Sequence, residues 1–544
     1  MSSTRIGQVR IRTDTDDPLA ARMRGDAALR ALDLEPPGMP SRVILCIRSM
    51  SDPLPGGLDL RSPHAPRATA WERAARQSIR DALSRAVRAI DGVPDSADAV
   101  LFADRAELLA CAARDVVRSG GGWWWRETLR GGLAFEPVVR EWLRAPEYVP
   151  AALEWLVMAG HAPAFLGALP TPQAMELLLQ VLRVHTLEPM ARELVRALSV
   201  QTTPAPRRRA LLPPLLRRLV PELDSEAVAE LLTIEQHLFA TVTLALRRGP
   251  AIVRSAPFRH EVGAWIASAA SSPFVPSGIE EAAAAPAREE QGGSPATPAS
   301  RVPKPGHEPA SQAVSDHAVA ERDTPPPSVR ADSRHATATT PAPSTAAVAR
   351  RTLPPPQQDA TGPLHTIDSR HAGLFFLLNI AIALGFYDPL GHEEPIALDV
   401  WDFLALTGRA LVPEIEEDDV WPLLAQLAHR ELEELPELDE ELLTRVRDAL
   451  STVLDLDALH EVEEVIPGSA AGDLDRTAPG QATQPAMPAA AFVIKRPGRI
   501  TLSPAHLDVT FSLAAHPIEI RVAGLDRDPG WIPAAGRHVD FHFD

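Results

Sequence analysis

A mainly α-helical protein, an irregular helical bundle or stack with short β elements at its ends, is what three observations predict. Apolar residues recur at three-and-four spacing over nine stretches between residues 71 and 269, and again after 371, which is the pattern of amphipathic helices. Alternating apolar and polar residues are confined to the first fifty and the last fifty positions, where they read as strands. Between these regions the composition breaks: residues 271–363 hold 17 prolines in 93 positions and no apolar period.

The first piece, 1–270, opens with two alternating runs, Ile6 to Arg12 and Arg42 to Arg48. Helical periods follow over Trp71–Ile90, Ala103–Val117, Leu133–Leu143, Val149–Met158, Pro172–His185, Glu188–Val200, Leu211–Leu219, Ser225–Leu246 and Arg259–Ala269. Pro172 after Thr171 suits a helix's first turn, because a proline there sacrifices no needed N–H. No fixed repeat length emerges, so a solenoid family is not indicated. Residues 271–363 cannot bury enough apolar surface to offset the entropy of ordering, and they read as a disordered Pro/Ala/Ser linker.

The second piece, 364–466, is a helical domain of strongly acidic character. Between Leu364 and Ala490 there are 26 acidic residues against 6 basic ones, a net of −20, whereas residues 1–270 carry 34 basic against 30 acidic, a net of +4. The whole-chain charge of −18 therefore sits in one block. Leucines interleave with the acids, so the acidic runs read as solvated helix faces or as a docking surface for a basic partner; Glu416, Glu417, Asp418 and Asp419 are its most concentrated part. Such a field repels phosphate, which argues against nucleic acid. Within this piece Gly373 to Leu384 is apolar round almost its whole circumference and predicts an interior helix, with Asn379 hydrogen-bonded to a neighbouring helix's carbonyl. A short break over 467–490 leads to the last piece, 491–544. Three alternating runs there, His506–Leu513, Ile518–Ala523 and His538–Phe543, predict a small antiparallel β element.

The composition excludes several chemistries. Only Lys304 and Lys495 are lysines against 52 arginines, and neither follows a glycine loop, so no Walker phosphate loop is present. Two cysteines, Cys46 and Cys111, are too few for a disulfide framework or a thiolate zinc site and read as buried apolar residues. Asp526–Gly530 lacks the later ligands of a calcium loop. His460 has no second histidine four residues on, and His538 with His542 is not read as a metal pair. No catalytic residue, cofactor or metal is assigned. No apolar run reaches the ~20 residues that span a bilayer, and the polar start predicts a cytoplasmic protein. Gly120-Gly121-Gly122 followed by Trp123, Trp124 and Trp125 is the most unusual local feature. Three successive indoles cannot all face one core, so the trio is either inter-element packing or an interaction surface.

His371-Ala372-Gly373-Leu374-Phe375-Phe376-Leu377-Leu378-Asn379-Ile380, then Leu384-Gly385-Phe386, then Trp401 to Arg409 resemble, in that order, segments of large helical proteins encoded in extracellular contractile injection system clusters, including tape-measure proteins. The tail Arg521 to Trp531 is similar to tails of proteins from such loci. The likeness covers roughly 370–430 and 505–544, and neither motif is catalytic. It implies a non-enzymatic structural or assembly component of a phage-tail-like particle, with tube, sheath or baseplate subunits as protein partners. A tape measure is a continuous helical rod, whereas this chain is interrupted by 93 proline-rich residues and ends in strands. The resemblance therefore implies membership of the machinery more than the ruler role; a soluble helical scaffold or adaptor outside such particles is the alternative.

Overall fold

The computed structural model describes residues 6, 18–34, 39–40, 42–55, 67–118, 124–125, 134–199, 212–271, 365–387, 398–432, 434–437, 439–454 and 489–544. The fold is mainly α, with a small sheet near each end of the chain. The predicted linkers over 271–363 and 467–490, and all of the first predicted strand except Ile6, lie outside the described residues apart from Ser271, Ala489 and Ala490.

The N-terminal sheet has three strands, β1 (Ile44–Ile47), β2 (Val87–Arg88) and β3 (Ala99–Phe102). The fully buried β3 is central, antiparallel to β1 and parallel to β2. Residues 71–90 were expected to be one helix; the helix is Arg67–Ser84, and Val87 and Arg88 form β2 instead. Asp104 caps the helix Arg105–Val117, its side chain accepting from the Glu107 amide, as aspartate at that position does. The helices Phe135–Arg144, Val149–Met158, Thr171–Val184 and Ile234–Arg248 close around a common core containing Trp142, Phe165 and Phe239. The expected helix over Ser225–Leu246 is two, Glu226–Leu231 and Ile234–Arg248. Thr233 and Gln236 form a capping box that starts the second, and two reciprocal bonds there outweigh the continuing apolar period.

The second core contains both the acidic helices and the C-terminal strands. Its sheet runs in the order β4 (His365–Ser369), β5 (Gly498–Leu502), β6 (His506–Phe511), β8 (Arg537–Phe543), β7 (Gly530–Ile532). Neighbours are antiparallel except β6 and β8, which are parallel. The pieces read separately as 364–466 and 491–544 thus share one sheet through the β4–β5 pair. The expected strand Ile518–Ala523 is a short helix, Ile518–Val522. Pro517 lacks an N–H for a ladder, and only Ile520 turns inward while Ile518 and Val522 are exposed.

The apolar segment that carries the resemblance begins as a tight turn, Ala372–Phe376, and continues as the helix Leu377–Ala383. It is interior except on one side: Ile382 is 43% exposed. Asn379 Nδ2 donates to the carbonyls of Leu525 and Arg527, each at 2.8 Å, so its partners lie in the turn after a helix and not in a helix. Gly373 is required by close approach, since a Cβ there would stand 2.0 Å from the Val493 carbonyl oxygen. Gly385, at φ +71°, ends the helix in the left-handed region that favours glycine.

The described residues of 1–274 and 358–544 form one compact unit. The chain leaves its helix Ala256–Ser271 and returns at β4 of the same unit. No helix among the described residues is long and apolar enough to cross a membrane.

Limited proteolysis should cut first within 271–363, by its composition, and the two products should co-elute on gel filtration without denaturant; separation into independent fragments would contradict the shared unit. Gly373→Ala should lower urea stability by about 1–3 kcal/mol through overpacking against backbone. Gly408→Ala should cost less, because its Cβ meets only the side-chain ends of Leu374 and Ile415.

Candidate functional site

The strands β6 and β8 carry nearly the same pattern, His-Leu-Asp-Val-Thr-Phe and His-Val-Asp-Phe-His-Phe. Because side chains alternate along a strand, Leu507, Val509, Phe511, Val539 and Phe541 turn to the second core. His506, Asp508, Thr510, His538, Asp540 and His542 take the opposite face. Parallel pairing in register sets His506 beside His538, Asp508 beside Asp540 and Thr510 beside His542. Two carboxylates on neighbouring strands, spaced about 4.8 Å, repel each other, and burial in low dielectric makes the repulsion larger.

The compensating charge comes from the other end of the chain. Arg42, whose side chain is fully buried, pairs with Asp508 and also feels the fields of Asp104 and Asp540. Burial outweighs these carboxylates and brings the Arg42 guanidinium down to about 10. For Asp540, burial alone acts upward, but His506, His538 and His542 overcome it and hold the carboxyl below its usual range. His506 Nδ1 faces Asp540 Oδ2 at 3.4 Å, so this nitrogen carries the proton and Nε2 accepts from Tyr148 Oη at 3.2 Å. The Tyr148, His506 and His538 rings stack, with imidazole centroids 4.7 Å apart.

Asp104 completes the junction. Its Oδ1 accepts from the Glu107 amide, capping a helix, while Oδ2 accepts from Ser503 Oγ at 2.8 Å and the Ala505 amide at 2.7 Å, both in the turn before β6. Arg537 donates to the carbonyls of Ser503 and Pro504 in the same turn. Farther along the seam, Trp531 Nε1 donates to the Val184 carbonyl and His185 Nδ1 to the Pro533 carbonyl. The chemistry available at this seam is ionic and proton-binding. One imidazole and two carboxylates, His506, Asp508 and Asp540, bring ligand atoms within 4.8 Å of one another.

The residues singled out from the sequence lie elsewhere. Trp125 is fully buried against Phe102, ring centroids 5.1 Å apart, and Trp124 donates to the Ala97 carbonyl at 3.0 Å; both pack the N-terminal sheet. Trp123 lies outside the described residues. Glu416, Glu417 and Asp419 are exposed. Asp418 turns inward, accepting from the Arg370 and Val420 amides and facing His371 Nδ1 at 3.0 Å. The tryptophans and the acids border different cores and form no joint site. The seam was missed because its parts are remote in sequence. Its one signal was the His-x-Asp pattern occurring twice, at 506–508 and 538–540; Arg42 and Asp104 carried none.

No protein family, no curated protein and no solved structure matches the chain.

A seam histidine predicts a pH dependence. Burial pushes His185, which is fully buried, down to about 3, against an ordinary value near 6.5. The unfolded chain therefore takes up protons that the folded chain refuses, so this stability is complete above about pH 6.5 and falls as pH drops toward 4. The urea midpoint should decrease between pH 7 and pH 5, and His185→Asn should reduce the decrease. A midpoint constant over that range would contradict the assignment.

Proposed function

We propose that this chain is a non-enzymatic assembly component of a phage-tail-like contractile injection particle, a compact body that holds tube, sheath or baseplate subunits together. The observation that carries the reading is the use made of the polar residues: Asp104, Arg42, Tyr148, Asp508 and Asp540 are engaged in closing the two ends of the chain on each other. Groups held in this way stiffen a body.

The resemblance supports the reading at the level of packing. Gly373, Leu374, Phe375, Phe376, Trp401 and Phe403 are all buried, so the residues that carry it belong to a core and not to a reaction centre. Charge supports a protein partner: Glu416, Glu417 and Asp419 are exposed in a block with a net of −20, from 26 acidic and 6 basic residues over 364–490. A basic subunit surface complements that face, and such attachment weakens with salt.

The test is sedimentation of particles assembled with and without the full-length chain. The chain should co-sediment with sheath and tube subunits, dissociate at high salt, and be needed for tubes of normal length attached to their baseplates. Normal particles assembled without it, with the chain recovered alone, would overturn the proposal and leave a helical scaffold outside such particles.

A further inference from the structure

The basic excess of the first piece lies in one stretch. Residues 183–218 hold 8 basic residues against the two acids Glu188 and Glu193, a net of +6, while 1–270 as a whole has a net of +4. The helix Glu188–Ser199 in this stretch packs against both Thr171–Val184 and Ala256–Ser271. Each of the three carries an exposed arginine, Arg192, Arg183 and Arg259 in turn, and none of these makes an ion pair among the described residues. Val195, three positions on from Arg192, is 46% exposed and stands on the same face of its helix. The surface is cationic, with an aliphatic group set in it.

The acidic piece has the opposite character and a place to receive such a surface. An open groove of about 680 Å³ is lined by Trp421, Leu432, Leu435 and Pro436, with Glu416 and Glu437 beside them. Arg409 lines it too, but it meets Glu416 only at 3.7 Å, with both side chains nearly half exposed. Glu437 is exposed and makes no ion pair among the described residues. Past Glu437 a second groove of about 330 Å³ continues to Asp439 and Glu441. An indole with carboxylates beside it suits a guanidinium, which stacks on aromatic rings and pairs with carboxylates. The leucines suit an aliphatic neighbour.

We propose that this groove receives the basic face of a second copy of the chain, with Arg192 and Arg259 paired to Glu416 and Glu437 and Val195 against Leu432 and Leu435. Charge complementarity selects the occupant: the block around the groove has a net of −20, and the chain itself carries the matching cations. Copies with a net charge of −18 repel at long range, but in about 0.1 M salt a charge acts over only ~10 Å. At contact the two opposed faces therefore dominate. The faces differ from each other, so the contact is heterologous. It needs no other protein and does not depend on the chain serving an injection particle.

The experiment is sedimentation velocity on the full-length chain at rising protein concentration. In about 0.1 M salt the wild type should self-associate, and in about 1 M salt, where charges act over only ~3 Å, it should return to a monomer. Two double variants change exposed residues only and should keep the wild-type circular dichroism: Arg192→Glu with Arg259→Glu, and Glu416→Arg with Glu437→Arg. Each alone should stay monomeric. Mixed, they should associate again, because each supplies the face that the other has lost. Val195→Ser leaves every charge in place and should weaken self-association about threefold. A wild type that stays monomeric in about 0.1 M salt would overturn the proposal and leave the groove to a basic partner of other origin. It is equally overturned if either double variant self-associates like the wild type, or if the mixture stays monomeric.

Discussion

Asp104 is a buried carboxylate that serves two parts of the fold at once. One oxygen ends the backbone of β3 and starts the helix Arg105–Val117; the other receives a hydroxyl and an amide from the turn that begins β6. Burying that charge is favourable only because three donors meet it. The requirement runs both ways, since the Ser503 hydroxyl and the Ala505 amide would be stranded in the interior without it, at about 1–3 kcal/mol each. The position of the C-terminal sheet against the helical part depends on this match. Tyr148, Arg42 and Trp531 reach their partners across the seam that Asp104 aligns.

The same seam fixes strand register. Shifting β8 by one residue against β6 would turn His538, Asp540 and His542 toward the apolar core and expose Val539 and Phe541. It would also separate the stacked imidazoles and leave Asp540 without His506. Apolar packing on one face and ionic pairing on the other therefore specify a single alignment. Polar groups of this kind contribute little net stability; their effect here is to make alternatives costly.

Much of the architecture was legible in the sequence because it rests on local periodicity. Val149–Met158 is a helix with the bounds its apolar spacing gave, and Thr171–Val184 lies within one residue of expectation. Elements failed where local and distant terms competed. His365–Ser369 falls in the piece expected to be helical, yet it is a strand, because β5 supplies its partner 131 residues on, where Asp368 pairs with Arg499. Ile518–Val522 alternates like a strand, but Pro517 and the single buried Ile520 make it a helix. The seam was almost illegible, since Arg42, Asp104, Tyr148 and Asp508 meet only after the ends of the chain have come together.

That separation has a consequence for synthesis. Ser503 lies 399 positions after Asp104, and β8, which is flanked by β6 and β7, follows later still. The helical part, rich in local contacts, has everything it needs early, whereas distant strand pairings form slowly and late. While a ribosome is still making residues 272–505, Asp104 keeps a capped helix on one side and only water on the other. The nascent protein thus carries an open polar face until the turn before β6 and the strands β6 and β8 have emerged, and these close it. A chain released short of β8 would be largely helical in its first half and permanently unsealed, which is the kind of surface that chaperones and proteases read.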